Sequence, residues 1–175
     1  MFKPQITTTA RGEFTITTDP ARLDLDVTHD FLANRAYWAK DIPRDLLARA
    51  VANSLCFTLL HGDRMIGLAR VVSDYATFAW VADVFVLEEY RGQGLSKWLV
   101  QHIKTHPDLQ NLRMWLLATL DAHSLYERYG GFRPVEEGRF MLVRDNEVYQ
   151  RMKNDHRRAA EGAEGENEKG AKPVR

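Results

Sequence analysis

The chain has 175 residues, with 24 Lys plus Arg, 24 Asp plus Glu and a formal net charge of +0. This length suits one domain that folds around its own core, and the even balance argues against a general nucleic-acid or anionic-membrane binder. A single cysteine, Cys56, leaves no internal disulfide and no cysteine-based zinc site, and no metal is expected.

Residues up to about Gly12 form a loose lead-in without the apolar stretch of a signal peptide. No run of the chain could span a bilayer, so a cytoplasmic protein is expected. Glu13–Thr18 alternates like a short strand and stops at Asp19-Pro20. A helix is predicted after Asp26, its candidate cap, burying Val27, Phe31 and Leu32 at helical spacing. A second begins near Pro43 and turns Leu46, Leu47, Ala50 and Val51 inward. Three antiparallel strands follow, Leu55–Leu60, Met65–Val72 and Thr77–Val86. Cys56 lies in the apolar run of the first of these, which predicts a buried core residue.

Gly92-Gln93-Gly94 then leads into a helix with Leu95, Trp98, Leu99 and Ile103 on one face, ending before Pro107. Leu112–Thr119 is the next strand, Asp121–Tyr129 a short helix closed by Gly130-Gly131, and Phe132–Pro134 and Arg139–Val143 supply the last strands. The expected class is α+β, in the order β-α-α-β-β-β-α-β-α-β-β, with a mostly antiparallel mixed sheet flanked by helices. One domain over 13–152 is expected. Lys153–Arg175 has no aromatic residue and predicts a disordered charged tail.

Chemistry concentrates between Val84 and Ser96. A strand enters a short loop whose two glycines stand where a helix begins. Glycine permits positive φ and removes the Cβ that would block a ligand, while the exposed N–H groups and helix dipole attract an anion. Arg91 adds a fixed positive charge, and the set suits a pyrophosphate. The alternative is a tight strand-to-helix turn with no ligand. A Walker A loop is absent, and a dinucleotide fingerprint would require glycine where Lys97 stands.

Arg91-Gly92-Gln93-Gly94-Leu95-Ser96 resembles the coenzyme A loop of the GCN5-related N-acetyltransferase (GNAT) family, Arg/Gln-x-x-Gly-x-Gly/Ala, with Ser96 in place of the final small residue. Ala122–Phe132 is similar to the family's Ala-x-x-Leu-Tyr-x-x-x-Gly-Phe, with one extra glycine in the turn. The likeness extends from about Glu13 to Val143. It implies acetyl-CoA as cosubstrate, with the backbone of Val84, Phe85 and Val86 holding the pantetheine arm. Arg91, Gly92, Gln93, Gly94, Leu95 and Ser96 would cradle the pyrophosphate. The acetyl group would lie in the splay between the third long strand and the strand ending at Thr119.

Acetyl transfer needs a neutral amine, a polarised carbonyl and a stabilised leaving thiolate. A lysine-like amine with pKa ~10.4 costs roughly 4.6 kcal/mol to neutralise at pH 7, so a base helps. Asp83, interrupting an apolar strand, is either that base or a structural carboxylate. By the resemblance, Tyr126 faces the sulfur of coenzyme A, with His123 as an alternative acid or base. Tyr37, Trp38, Asp74 and Tyr75 are candidates for the acceptor site, Asp74 drawing in a cationic amine. The expected activity is N-acetylation of a small or amino-acid-like amine. Alternatives are a non-catalytic acyl-CoA sensor and a protein N-terminal or lysine acetyltransferase.

Overall fold

Five or more successive residues in each of the first two central strands are apolar or small, so both strand faces must be covered. A computed structural model of the chain describes residues 2–155 and 157–158. Its sheet has six strands in sequence order: β1 (Thr8–Arg11), β2 (Phe14–Thr17), β3 (Leu55–His61), β4 (Arg64–Ser73), β5 (Phe78–Val86) and β6 (Met114–Leu117). All neighbours are antiparallel except β5 and β6. Helices α1 (Leu25–Asn34) and α2 (Arg44–Ala52) lie between β2 and β3 in the chain, α3 (Leu95–Thr105) joins β5 to β6, and α4 (His123–Gly130) follows β6. A fifth helix, α5, runs over 148–155.

The core is built as the apolar pattern requires. Phe57, Leu59, Ile66, Leu68 and Val71 of the central strands are buried with Leu47 of α2 and Leu95, Leu99 and Ile103 of α3. Phe31 of α1 stacks on Phe85 of β5, ring centroids 4.1 Å apart, fixing α1 against the strand that carries the site. Cys56 is buried and its thiol is pushed up to about 12 by desolvation, as suits an inert core residue.

Four expectations are corrected. The lead-in before Gly12 is strand β1, paired with β2 through register Thr8↔Thr17 to Arg11↔Phe14. Its Thr-Thr-Ala-Arg sequence has no apolar face to signal a strand, and a Thr8–Thr17 hydroxyl pair at 2.7 Å supports it instead. The cap of α1 is Asp24, which accepts from the N–H groups of Asp26 and Val27, while Asp26 binds Arg44. Neither Phe132–Pro134 nor Arg139–Val143 forms a strand. β6 is only four residues long and pairs on one side, with β5, and Pro134 offers no N–H to a ladder. Finally, Lys153–Asp155 belong to α5, where Lys153 pairs with Asp41 at 2.5 Å. Most of the expected tail lies outside the described residues.

Candidate functional site

Parallel pairing between β5 and β6 covers Phe78↔Met114 to Val81↔Leu117 and then ends. On the other side of β5, Arg70 pairs with Ala82 but Leu68 with Phe85, so Asp83 and Val84 together face Ala69. This is a β-bulge, and Asp83 takes φ +48°, a left-handed conformation costly for a residue with a Cβ. β5 therefore bends just where it leaves β6. The gap is a cavity of about 470 Å³, bordered by Asp83–Val86, Arg91, Ser96, Ala118–Thr119 and Tyr126.

At one end of this cavity lies the glycine loop. Gly92 has φ +79° and Gly94, the N-cap of α3, has φ +74°. A Cβ at either position would meet no protein atom within 4 Å, so backbone conformation and not packing calls for glycine. No side chain caps α3, which leaves its first N–H groups for an external acceptor. Arg91 is held beside them: its Nε donates to the Val86 carbonyl at 3.1 Å and its terminal nitrogen to Glu88 at 3.1 Å. Arg11 stands over the Trp98 ring at 4.7 Å and donates to the Gln93 carbonyl, adding a second guanidinium. The loop thus presents uncapped N–H groups beside two guanidinium groups, an arrangement that suits an anion.

Tyr126 borders the cavity from α4 and is buried, yet its hydroxyl has no protein hydrogen-bond partner among the described residues. Burial first, then Tyr37 and Asp121, push the phenol up to about 12. It stays protonated at neutral pH and keeps its O–H available to donate. Across the opening, the Leu120 N–H donates to the Tyr37 hydroxyl at 3.1 Å, tying the loop after α1 to the loop after β6. Trp38 packs edge-on against Tyr37 and donates from Nε1 to Asp83 at 3.2 Å.

Asp83 also accepts from Arg70 Nε at 2.6 Å, and Arg70 donates to Ser54 at 3.0 Å. Both members of the ion pair are largely buried. Each carboxylate oxygen of Asp83 thus accepts from a fixed side chain, which holds the group in place in the cavity wall.

The structure thus brings together Tyr37, Trp38, Asp83, Val84, Phe85, Val86, Arg91, Ser96 and Tyr126 around one space. It does not bring Asp74 or Tyr75 there. Asp74 accepts from the Thr77 hydroxyl at 2.6 Å and from the N–H groups of Thr77, Ala76 and Phe78, which together lower its carboxyl strongly, and Tyr75 packs against Phe2. Asp-Tyr-Ala-Thr is a turn signal, and the turn consumes the charge. His123 is exposed and borders a second cavity of about 570 Å³ on the outer side of β6. Sequence reading missed Arg70, Trp80, Thr119 and Arg11. Arg70 is the one with a visible signal, a lone charge within the apolar run of β4.

Residues 22–132 match the model of the acetyltransferase (GNAT) family. A protein of the fungus Gibberella zeae assigned as an acetyltransferase, FG08082, is 30% identical over 155 residues, covering 77% of this chain and 86% of that protein. A crystal structure from Xanthomonas campestris pv. campestris, assigned to the GNAT family, superposes with TM-score 0.75 at 46% identity over 78% of this chain and 96% of that one. A GNAT acetyltransferase from Elizabethkingia anophelis, solved with acetyl-CoA bound, shares the fold at TM-score 0.55 and 14% identity, over 78% and 92% of the two chains.

Proposed function

Because this chain belongs to the GNAT acetyltransferase family, we propose that it transfers the acetyl group of acetyl-CoA to a primary amine of a small or amino-acid-like molecule. The observation that carries this reading is one cavity with an uncapped, glycine-lined anion cradle at one end and a buried, unpartnered phenol beside it. Acetyl-CoA supplies a thioester whose acetyl carbon an amine can attack. Gly92, Gly94 and the first turn of α3 bind the pyrophosphate, with Arg91 and Arg11 balancing its charge. Val84–Val86, turned outward by the bulge, line the path of the pantetheine arm.

Tyr126 donates a hydrogen bond to the sulfur as negative charge develops there. Handing over the proton from a phenol near 12 to a thiolate near ~8.5 would be uphill by about 5 kcal/mol, so stabilisation without full transfer is the role. Asp83 acts as a positioning residue: with Arg70 it holds Trp38 in the acceptor wall, and the amine loses its proton to water. The Tyr37–Leu120 bond closes that wall, which favours a small acceptor over a protein terminus or lysine. An enzyme using this cosubstrate works where coenzyme A is acetylated, so the cytoplasm is the proposed compartment.

Titration calorimetry with acetyl-CoA tests the cofactor assignment. One equivalent bound per chain, weakened by added coenzyme A, is expected. Absence of heat and of any thermal stabilisation at millimolar ligand would overturn it.

A further inference from the structure

The charged side chains that border the cavity holding Tyr126 are Arg70, Asp83, Arg91, Asp121 and Arg144. Arg70 pairs with Asp83, and Arg91 with Glu88. The remaining two are unused. Among the described residues, neither the Asp121 carboxylate nor the Arg144 guanidinium makes a hydrogen bond or an ion pair, and they do not pair with each other. Asp121 stands just before α4, where an aspartate ordinarily caps a helix. Here no side chain caps α4, and the Thr119 hydroxyl takes the Ala122 N–H at 3.1 Å instead. The carboxylate is left to the cavity, near enough to Tyr126 for its charge to help raise that phenol. Arg144 lies where the two cavities meet, together with Tyr37, Trp38, Ala118, Thr119 and Tyr126. The glycine loop borders only the first cavity, through Arg91 and Ser96. Arg144 is therefore on the acceptor side of Tyr126, where the phosphates of the cosubstrate do not reach.

Two opposite charges held apart in one cavity, both without partners, fit a ligand that carries the complementary pair. An amine arrives at neutral pH as its ammonium, which a carboxylate binds. A guanidinium binds a carboxylate through two parallel hydrogen bonds. We infer, on the acetyltransferase reading of this site, that the acceptor is a free amino acid whose ammonium group is held at Asp121 and whose carboxylate is held at Arg144. Tyr37 and Trp38, packed edge-on beside Arg144, offer aromatic surface to an apolar side chain of that amino acid. Trp115, Leu117 and Phe132 continue the same surface into the second cavity. A peptide N-terminus presents the ammonium without a carboxylate next to it and would leave Arg144 unpaired, as would a plain amine. The charge pair thus selects among small acceptors, which the closed wall alone does not.

Steady-state rates on the full chain test this with a panel of the common amino acids, each set against its amide and its decarboxylated amine. The amide is a weaker base than the amino acid and the plain amine a stronger one, so a preference over both reports the carboxylate. For the best amino acid, kcat/KM should exceed that of either control by about tenfold or more, the difference lying in KM. In Arg144→Gln that preference should collapse to near unity. Asp121→Asn should raise KM for all three forms, because each carries the ammonium. Calorimetry with acetyl-CoA checks that both variants remain folded and loaded. Equal rates for the three forms, a preference that survives Arg144→Gln, or an unchanged KM in Asp121→Asn would overturn the assignment and leave the acetyltransferase reading standing. Acetyl-CoA binding with no acetylation of any acceptor would overturn that reading, and the amino-acid site with it.

Discussion

A phenol raised to about 12 by burial keeps its proton through the whole range in which acetyl transfer is measured. Tyr126→Phe therefore removes one donor without changing a charge in the ground state. If the hydroxyl acts only as charge builds on the sulfur, kcat should fall about 10²-fold in single-turnover conditions, with KM for acetyl-CoA nearly unchanged. A rate within a few-fold of wild type would remove the tyrosine from the mechanism. Asp83 is tested differently, because its ion pair with Arg70 makes stability part of the answer. Asp83→Asn should lower the melting temperature and raise KM for the acceptor, while the shape of the pH–rate profile stays the same. Loss of the acidic limb in that variant would instead make Asp83 the base. Tyr126 was legible in the sequence through its motif. The partners of Asp83 were not, because Trp38 and Arg70 meet it across sequence separations of 45 and 13 residues.

At the scale of elements, the strand, loop and helix from β5 to α3 were legible because each step has a local cause. An apolar run ends, two glycines take positive φ, and an amphipathic helix stops before a proline. Gly94→Val tests the loop. A β-branched side chain at φ +74° is strained, so the melting temperature should drop by several degrees, and the Cβ would project into the open space of the cradle. Acetyl-CoA binding should weaken by at least tenfold; normal affinity in a folded variant would mean that the phosphates bind elsewhere. The bulge at Asp83 left no mark in the sequence, since bulges follow from register between strands, not from residue type alone. The absent terminal strands are the converse case. Arg139–Val143 has strand composition, but a strand exists only where an edge is reached, and this run lies off β6.

On the scale of the whole molecule, the antiparallel central strands and the crossover through α3 followed from punctuation and periodicity, and the family resemblance from the motifs at Arg91–Ser96 and Ala122–Phe132. Helix α5 continues past Met152. Its Tyr149 packs against the core, where burial raises the phenol with Asp83 adding to the shift, and Lys153 reaches Asp41. Deleting 159–175, a segment without a large apolar side chain apart from Val174, should leave the melting temperature within about 1 °C. Deleting from residue 148 onward should cost several degrees by uncovering the Asp83–Arg70 side of the sheet.

Acetyl transfer to an amine is tested most directly by thiol release from acetyl-CoA across a panel of small primary amines, with each product weighed by mass spectrometry. Release that depends on a particular amine, matched one to one by the acetylated amine and reduced about 10²-fold in Tyr126→Phe, is the predicted result. Tight binding of acetyl-CoA with no amine-dependent release, from small amines or from peptides, would contradict it and leave a sensor of acyl-CoA in place of an enzyme.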